Sequence, residues 1–136
     1  MVLLIDTNIL LDVLETREPF YEKSAEIWQL CSDGKADGYI SSLSFSNIVY
    51  TMRKKLTPET IENTVYYLST FFIFEDFYYL DIIKAAQMRW KDFEDALQSV
   101  AAERIKADYI ITRNIKDFDN SNVRALSPED FLNLKL

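Results

Sequence analysis

The 136-residue chain predicts one α/β domain built on a short parallel sheet, and its patterning carries that prediction. Runs rich in Val, Ile and Leu alternate with longer segments in which apolar residues recur at helical spacing. The first run, Val2-Leu3-Leu4-Ile5, is apolar throughout, as in a parallel strand covered on both faces, and it ends abruptly in Asp6. No repeat, linker or low-complexity tract divides the chain, so residues 1–136 are expected to form a single domain with one core.

After Asp6, residues 8–15 place Ile9, Leu10 and Val13 on one face and predict a short helix. Pro19 is expected to open a second helix carrying Phe20, Ala25, Ile27, Trp28 and Cys31, with Gly34 as its left-handed stop. Residues 36–41 read as a second strand. The serines that follow cap a helix with Phe45, Ile48, Val49 and Met52 at helical period. Thr57-Pro58 is a cap with proline at the first helical position, and Ile61, Val65, Leu68 and Phe72 continue the pattern. Ile73-Phe74 predicts a third strand, and residues 79–90 a further helix. Asp92 starts the most regular helix, with Phe93, Ala96, Leu97, Val100, Ala101 and Ile105 on one stripe. Residues 108–112 form the fourth strand and residues 123–126 a fifth, before Ser127-Pro128-Glu129-Asp130 opens a last helix around Phe131 and Leu132. The aromatics between Tyr66 and Tyr79 suit a core or a subunit interface better than base stacking.

Composition removes whole classes of chemistry. There is no histidine, which excludes Ser-His-Asp and Cys-His catalysis and imidazole-ligated zinc. The single cysteine, Cys31, falls on a helical apolar face and is expected to be a small buried hydrophobe in a reducing compartment. No apolar run approaches the ~20 residues that span a bilayer, and the N-terminus lacks the basic start of a signal peptide, so a cytoplasmic protein with no membrane partner is expected. The net charge of −7 argues against broad electrostatic capture of nucleic acid and suits a cation-loaded pocket or a basic partner.

The carboxyl ends of parallel strands share one edge, where open α/β sheets place their ligands. That edge collects Asp6, the segment after Ser41, and Thr112-Arg113-Asn114-Ile115-Lys116-Asp117. The helix from Asp92 feeds the fourth strand through a short turn, so its start, with Asp92, Glu94 and Asp95, lies at the same edge. Simpler roles compete: Asp92 is a good N-cap, Glu94 complements a helix dipole, and Asp12 and Asp117 read equally well as surface carboxylates. Asp6 has no such cheap explanation. Clustered carboxylates without histidine or cysteine favour Mg²⁺ or Mn²⁺, and with them phosphodiester hydrolysis.

Three segments, Leu4-Ile5-Asp6-Thr7-Asn8-Ile9-Leu10-Leu11-Asp12, Asp92-Phe93-Glu94-Asp95-Ala96-Leu97-Gln98 and Ile111-Thr112-Arg113-Asn114-Ile115-Lys116-Asp117-Phe118, resemble the PIN-domain family in order and spacing, and most of all its VapC-type toxin branch. The resemblance implies a three-layer α/β/α fold with four to five parallel strands and a metal-dependent ribonuclease acting on RNA. It carries the family's acids onto Asp6 and Asp95, with Asp117 or Asn114 at the fourth position. Asn8, Thr112 and Asp92 follow as supporting residues. It also implies a homodimer and a small antitoxin partner. Where most members have a glutamate in the helix after the second strand, this chain has Asn47, which offers a carbonyl ligand but no charge.

Two readings of different class follow. In the first the chain is a Mg²⁺- or Mn²⁺-dependent endoribonuclease, the toxin of a toxin–antitoxin pair, with Asp6, Asp95 and Asp117 holding metal. In the second it is a degenerate PIN module that binds RNA or a protein without cutting, a reading favoured by Asn47 and Asn114. A phosphatase with an aspartyl nucleophile would want a second aspartate two residues after Asp6, where Asn8 stands.

Overall fold

A computed structural model describes residues 1–134, and its centre is a five-stranded, all-parallel sheet. The strands are β1 (Val2–Ile5), β2 (Asp37–Ser41), β3 (Ile73–Glu75), β4 (Tyr109–Ile111) and β5 (Ala125–Leu126), in the spatial order β3-β2-β1-β4-β5. β1 is central, as its unbroken apolar sequence demands, and Leu3, Leu4 and Ile5 are fully buried. Its register pairs Leu4 with Tyr39 on one side and with Ile110 on the other.

The connections are helical: α1 (Thr7–Leu14), α2 (Tyr21–Ser32), α3 (Ser42–Thr51), α4 (Pro58–Phe71), α5 (Tyr79–Met88), α6 (Phe93–Arg104) and α7 (Pro128–Leu132). Strand alternation sorts them into layers. Leu3, Ile5, Ile40 and Ile111 point to one face and pack with Ile9 and Leu10 of α1, Ile27 and Trp28 of α2, Ile48 of α3, Leu68 of α4 and Phe131 of α7. Leu4 and Ile110 point to the other face, against Ala102 of α6. α5 packs on α6 through Ala85, Ala96, Leu97 and Val100. The result is the expected α/β/α sandwich with a short parallel sheet. Among the described residues no helix is long and apolar enough to cross a membrane.

Local signals act where the sequence places them. Ser41, Thr57, Asp92 and Ser127 are the N-caps of α3, α4, α6 and α7, each accepting from a backbone N–H in the first turn. Gly34, at φ +73°, closes the turn after α2. Gly38 is required for a different reason: a Cβ there would stand 2.6 Å from Cys31 Sγ and 2.9 Å from Phe72, so β2 and α2 approach only because that side chain is missing. Cys31 is buried as expected, and burial pushes its thiol up to about 11, away from reactivity.

Several expectations need correction. α2 begins at Tyr21, with Phe20 as its N-cap, so Pro19 precedes the helix instead of opening it. The fifth strand is only Ala125–Leu126. α6 ends at Arg104, leaving Ile105 as its cap, and Phe93 is 43 % exposed because the helix start rides above the sheet edge. The aromatic region divides: Phe72 is buried against Trp28 at 5.1 Å, whereas Tyr66, Tyr78 and Tyr79 are exposed. The edge strand β3 is pinned by Arg104 of α6, which donates to Asp81 at 3.0 and 3.2 Å, to Glu75 and to the Asp76 carbonyl.

Candidate active site

Asp6 is the hinge between β1 and α1. Its backbone N–H donates to the Ile111 carbonyl at 2.9 Å, continuing the β1–β4 ladder, and its side chain caps α1 by accepting from the Thr7 N–H at 2.8 Å. The other carboxylate oxygen accepts from Thr112 Oγ at 2.8 Å and from Asn8 Nδ2 at 3.5 Å. Only 7 % of Asp6 is exposed, and burial raises its carboxyl above the usual range, outweighing the opposing hydrogen bonds from Thr112, Thr7 and Gln98; the charge of Asp117 adds to the rise.

Thr112 and Asn8 hold the loop that follows β4. Thr112 is fully buried, and its hydroxyl also accepts from the Asn114 N–H at 3.0 Å. Asn8 Oδ1 accepts from the Arg113 N–H at 3.3 Å. The chain then turns through a single 3-10 segment, Ile115–Phe118, which the sequence pattern did not announce, and this turn carries Asp117 to the surface beside the site. From the opposite side, Asp92 caps α6 by accepting from the Asp95 N–H at 3.1 Å. Asp95 is half-buried at this helix start. Its carboxyl is pushed up to about 7, first by burial and then by the charges of Asp92, Asp6, Asp117 and Glu94.

Two clefts meet at Asp95. One, of about 440 Å³, is bordered by Asp6, Asn8, Asn47, Glu94, Gln98 and Asn114. The other, of about 760 Å³, is bordered by Asp92, Asp117 and a basic wall. Of the residues singled out in the sequence, Asp6, Asn8, Asn47, Asp92, Glu94, Asp95, Asn114 and Asp117 each line one of the clefts, and Thr112 lies beneath as a support. Asn47 faces the site from α3 and donates to Glu94 Oε2 at 3.3 Å. Asn114 is exposed at its rim, and Asp92 both caps the helix and lines the larger cleft.

Asp12 is not a surface carboxylate. It is fully buried, accepts from Ser24 Oγ at 3.0 Å, and forms a bidentate pair with Arg113 at 2.8 and 3.0 Å. Arg113 in turn lies 4.0 Å over the Phe20 ring. Gln98 was missed. It sits one helical turn after Asp95, nearly fully buried, and donates to Ser44 Oγ at 2.8 Å and to Asp6 at 3.5 Å. The available signal was a lone amide at i+3 from Asp95 within an apolar stripe.

The donors facing the clefts are carboxylate, amide and hydroxyl oxygens, the set that suits a hard cation. Asp95, crowded by like charge, has most to gain from one, and Gln98 Oε1 is a buried acceptor with no hydrogen-bond donor. Among the described residues no three acidic or thiol side chains enclose a point by themselves. That is compatible with Mg²⁺, which keeps several waters and takes only one or two carboxylates.

The raised Asp95 value makes a pH prediction for the metal-free protein. Its folded pKa, about 7, lies above the unfolded value of roughly 3.9, so the stability it lends is fully present below about pH 4 and is lost as pH rises through 7. Asp95→Asn abolishes that loss. After allowance for solvent screening, it should raise stability at pH 8 by about 1–2 kcal/mol, roughly 3–6 °C in Tm, with the gain shrinking towards pH 4. Melting curves across that range check it; a gain that is constant with pH would place the acid crowding elsewhere.

The PIN domain family profile matches residues 2–116, and the chain belongs to that family. No curated protein matches it. Similar solved structures include a toxin–antitoxin complex from Klebsiella pneumoniae, at 24% identity and TM-score 0.70, covering 92% of this chain and 96% of that one. VapBC2 from Rickettsia felis, bound to promoter DNA, has 18% identity and TM-score 0.69, with 93% and 98% coverage. VapC20 of Mycobacterium tuberculosis, a toxin that cleaves the sarcin-ricin loop, has 11% identity and TM-score 0.64, with 79% and 86% coverage. At these identities the likeness establishes the shared fold.

Proposed function

We propose that this protein is a Mg²⁺- or Mn²⁺-dependent endoribonuclease and the toxin of a toxin–antitoxin pair, acting in the cytoplasm. The observation that carries the reading is the convergence of Asp6, Asp95 and Asp117, from three distant segments, on one sheet edge, where the charges of Asp6 and Asp117 raise the proton affinity of Asp95 and the charge of Asp117 raises that of Asp6. Asp95 and Asp117 would hold the ion, with Asp6 beside them. A bound ion of this kind lowers the pKa of water and stabilises the oxygens of a phosphoryl displacement. Thr112, Asn8 and Gln98 keep the Asp6 carboxylate in one orientation, and Asp92 fixes the first turn that presents Asp95. The exposed Tyr78, Tyr79 and Leu80 at the start of α5 support a homodimer, since neighbouring exposed apolar side chains mark interfaces.

The non-cutting alternative rests on Asn47. Its neighbour weakens that alternative: Glu94, held by the Asn47 amide, brings a carboxylate to the same wall from α6. Restoring the family residue should still help. Asn47→Glu is expected to tighten Mn²⁺ binding about tenfold by calorimetry, because ligand charge sets affinity at oxygen sites. An unchanged affinity would mean that position 47 does not reach the ion.

The function is tested by incubating the purified protein with structured RNA and Mn²⁺, with and without excess chelator. Discrete cleavage that chelator abolishes is expected. Cleavage that persists in chelator overturns the metal mechanism, and binding without cleavage at any metal concentration favours the non-cutting module. A short DNA-binding protein encoded by the adjacent reading frame, and its co-purification with this chain, would test the toxin role.

A further inference from the structure

The larger cleft has a wall of opposite sign to its floor. Arg89 and Lys91, between α5 and α6, and Lys116, in the 3-10 turn, line it together with Asp92, Asp95 and Asp117. Six other cations of this acidic chain, Arg17, Lys23, Lys55, Lys84, Arg104 and Arg113, are each paired with a carboxylate. Among the described residues Arg89, Lys91 and Lys116 make no such pair, as is also true of Lys35, Arg53, Lys54, Lys106 and Arg124; these three alone of the unpaired cations line the cleft, with acids beside them.

Arg89 adds an independent observation. It ends α5 in the left-handed conformation, at φ 55° and ψ 36°, where glycine is the unstrained choice. Its side chain is exposed and is not part of a core cluster. Thr16 and Lys106 take the same backbone state elsewhere, and of the three only Arg89 lines the cleft, so its place there points to use outside the fold's own stability.

We propose that Arg89, Lys91 and Lys116 form a phosphate-binding wall for single-stranded RNA, holding the nucleotides that flank the bond cleaved at Asp6, Asp95 and Asp117. The inference rests on the nuclease reading and deepens it. Because Asp95 borders both clefts, a strand whose reacting phosphate lies there passes its neighbouring phosphates into the larger one. Acids on the floor exclude those phosphates except where a cation is bound, and the basic wall attracts them, so the two signs together set the register of the strand. The volume, about 760 Å³, and the concave shape suit a splayed single strand better than the broad surface of a duplex.

The test uses the Asp6→Asn protein, so that RNA is bound without being cut, with a short fluorescein-labelled single-stranded RNA of mixed sequence and fluorescence anisotropy at several salt concentrations. Adding Arg89→Gly, Lys91→Ser and Lys116→Gln together is expected to weaken binding at least about tenfold at low salt. The slope of log K against log salt should shrink by roughly two units, about 0.7 for each single-strand phosphate contact removed. Arg89→Gly alone should weaken binding while raising Tm by roughly 2–4 °C, a combination that a merely structural arginine does not give. Unchanged affinity and salt slope in the triple variant, with the Asp6→Asn parent binding normally, overturn the wall and leave the nuclease reading intact. A parent that binds no RNA overturns the nuclease reading and the wall with it.

Discussion

Asp95→Asn and Asp6→Asn are each expected to lower RNA cleavage by on the order of 10²-fold or more at saturating RNA. Both changes remove a unit of negative charge and hardly alter shape, so the loss reports charge at the site and not packing. The stability responses separate loss of function from loss of fold. Asp95→Asn relieves crowding by four neighbouring acids and should melt higher without metal, yet it should gain less from added Mn²⁺. For a native site that gain is about 2.7 kcal/mol at a hundredfold excess over Kd. Wild-type turnover in either variant, measured on the same RNA, would remove that carboxylate from the mechanism.

The second large effect lies behind the site. Arg113→Ala leaves Asp12 fully buried with Ser24 as its remaining side-chain partner, and stranding a buried charge in this way costs about 3–5 kcal/mol. A fall in Tm of roughly 10 °C is expected. Replacing both partners by apolar residues, Asp12→Leu with Arg113→Met, should recover most of it, since a buried pair contributes little against a well-packed hydrophobic replacement. Calorimetric melting of the single and double variants checks this. The pair joins α1 to the loop that carries Asn114 and Asp117, so the double variant, though stable, should show weaker Mn²⁺ binding. A single variant that melts like the native protein would mean that Asp12 has another partner.

Much of this was readable in the chain because it rests on local rules. An unbroken apolar run ending in Asp6 specifies a central parallel strand and a carboxylate at its end. Ser41, Thr57, Asp92 and Ser127 mark helix starts through side chains that reach only three residues ahead. The topology rule for parallel sheets then brings Asp6, Asp95 and Asp117 to one edge without knowledge of a single contact. What stayed hidden depends on partners far away in sequence. Asp12 looks like a surface acid until Arg113, 101 residues later, is placed against it. Gln98 reads as a stray polar residue in a helix stripe, and its meaning lies in Ser44 and Asp6 on other elements. Phe93 matches the apolar period of α6 but sits in a first turn that the sheet does not cover, because periodicity gives a direction and not the extent of the partner surface. The 3-10 turn that presents Asp117 is held by the Thr112 hydroxyl and the Asn114 carbonyl, a geometry with no sequence period of its own.

The central claim, that these carboxylates form a cation site, is tested most directly by anomalous scattering from crystals soaked in Mn²⁺. A peak within coordination distance, roughly 2.0–2.2 Å, of oxygens from Asp95 and Asp117, and beside Asp6, is the predicted result. The same soak of Asp95→Asn should lose it. A fully occupied Mn²⁺ peak away from these three residues, or a native crystal with none while the same protein cleaves RNA in chelator, would contradict the account.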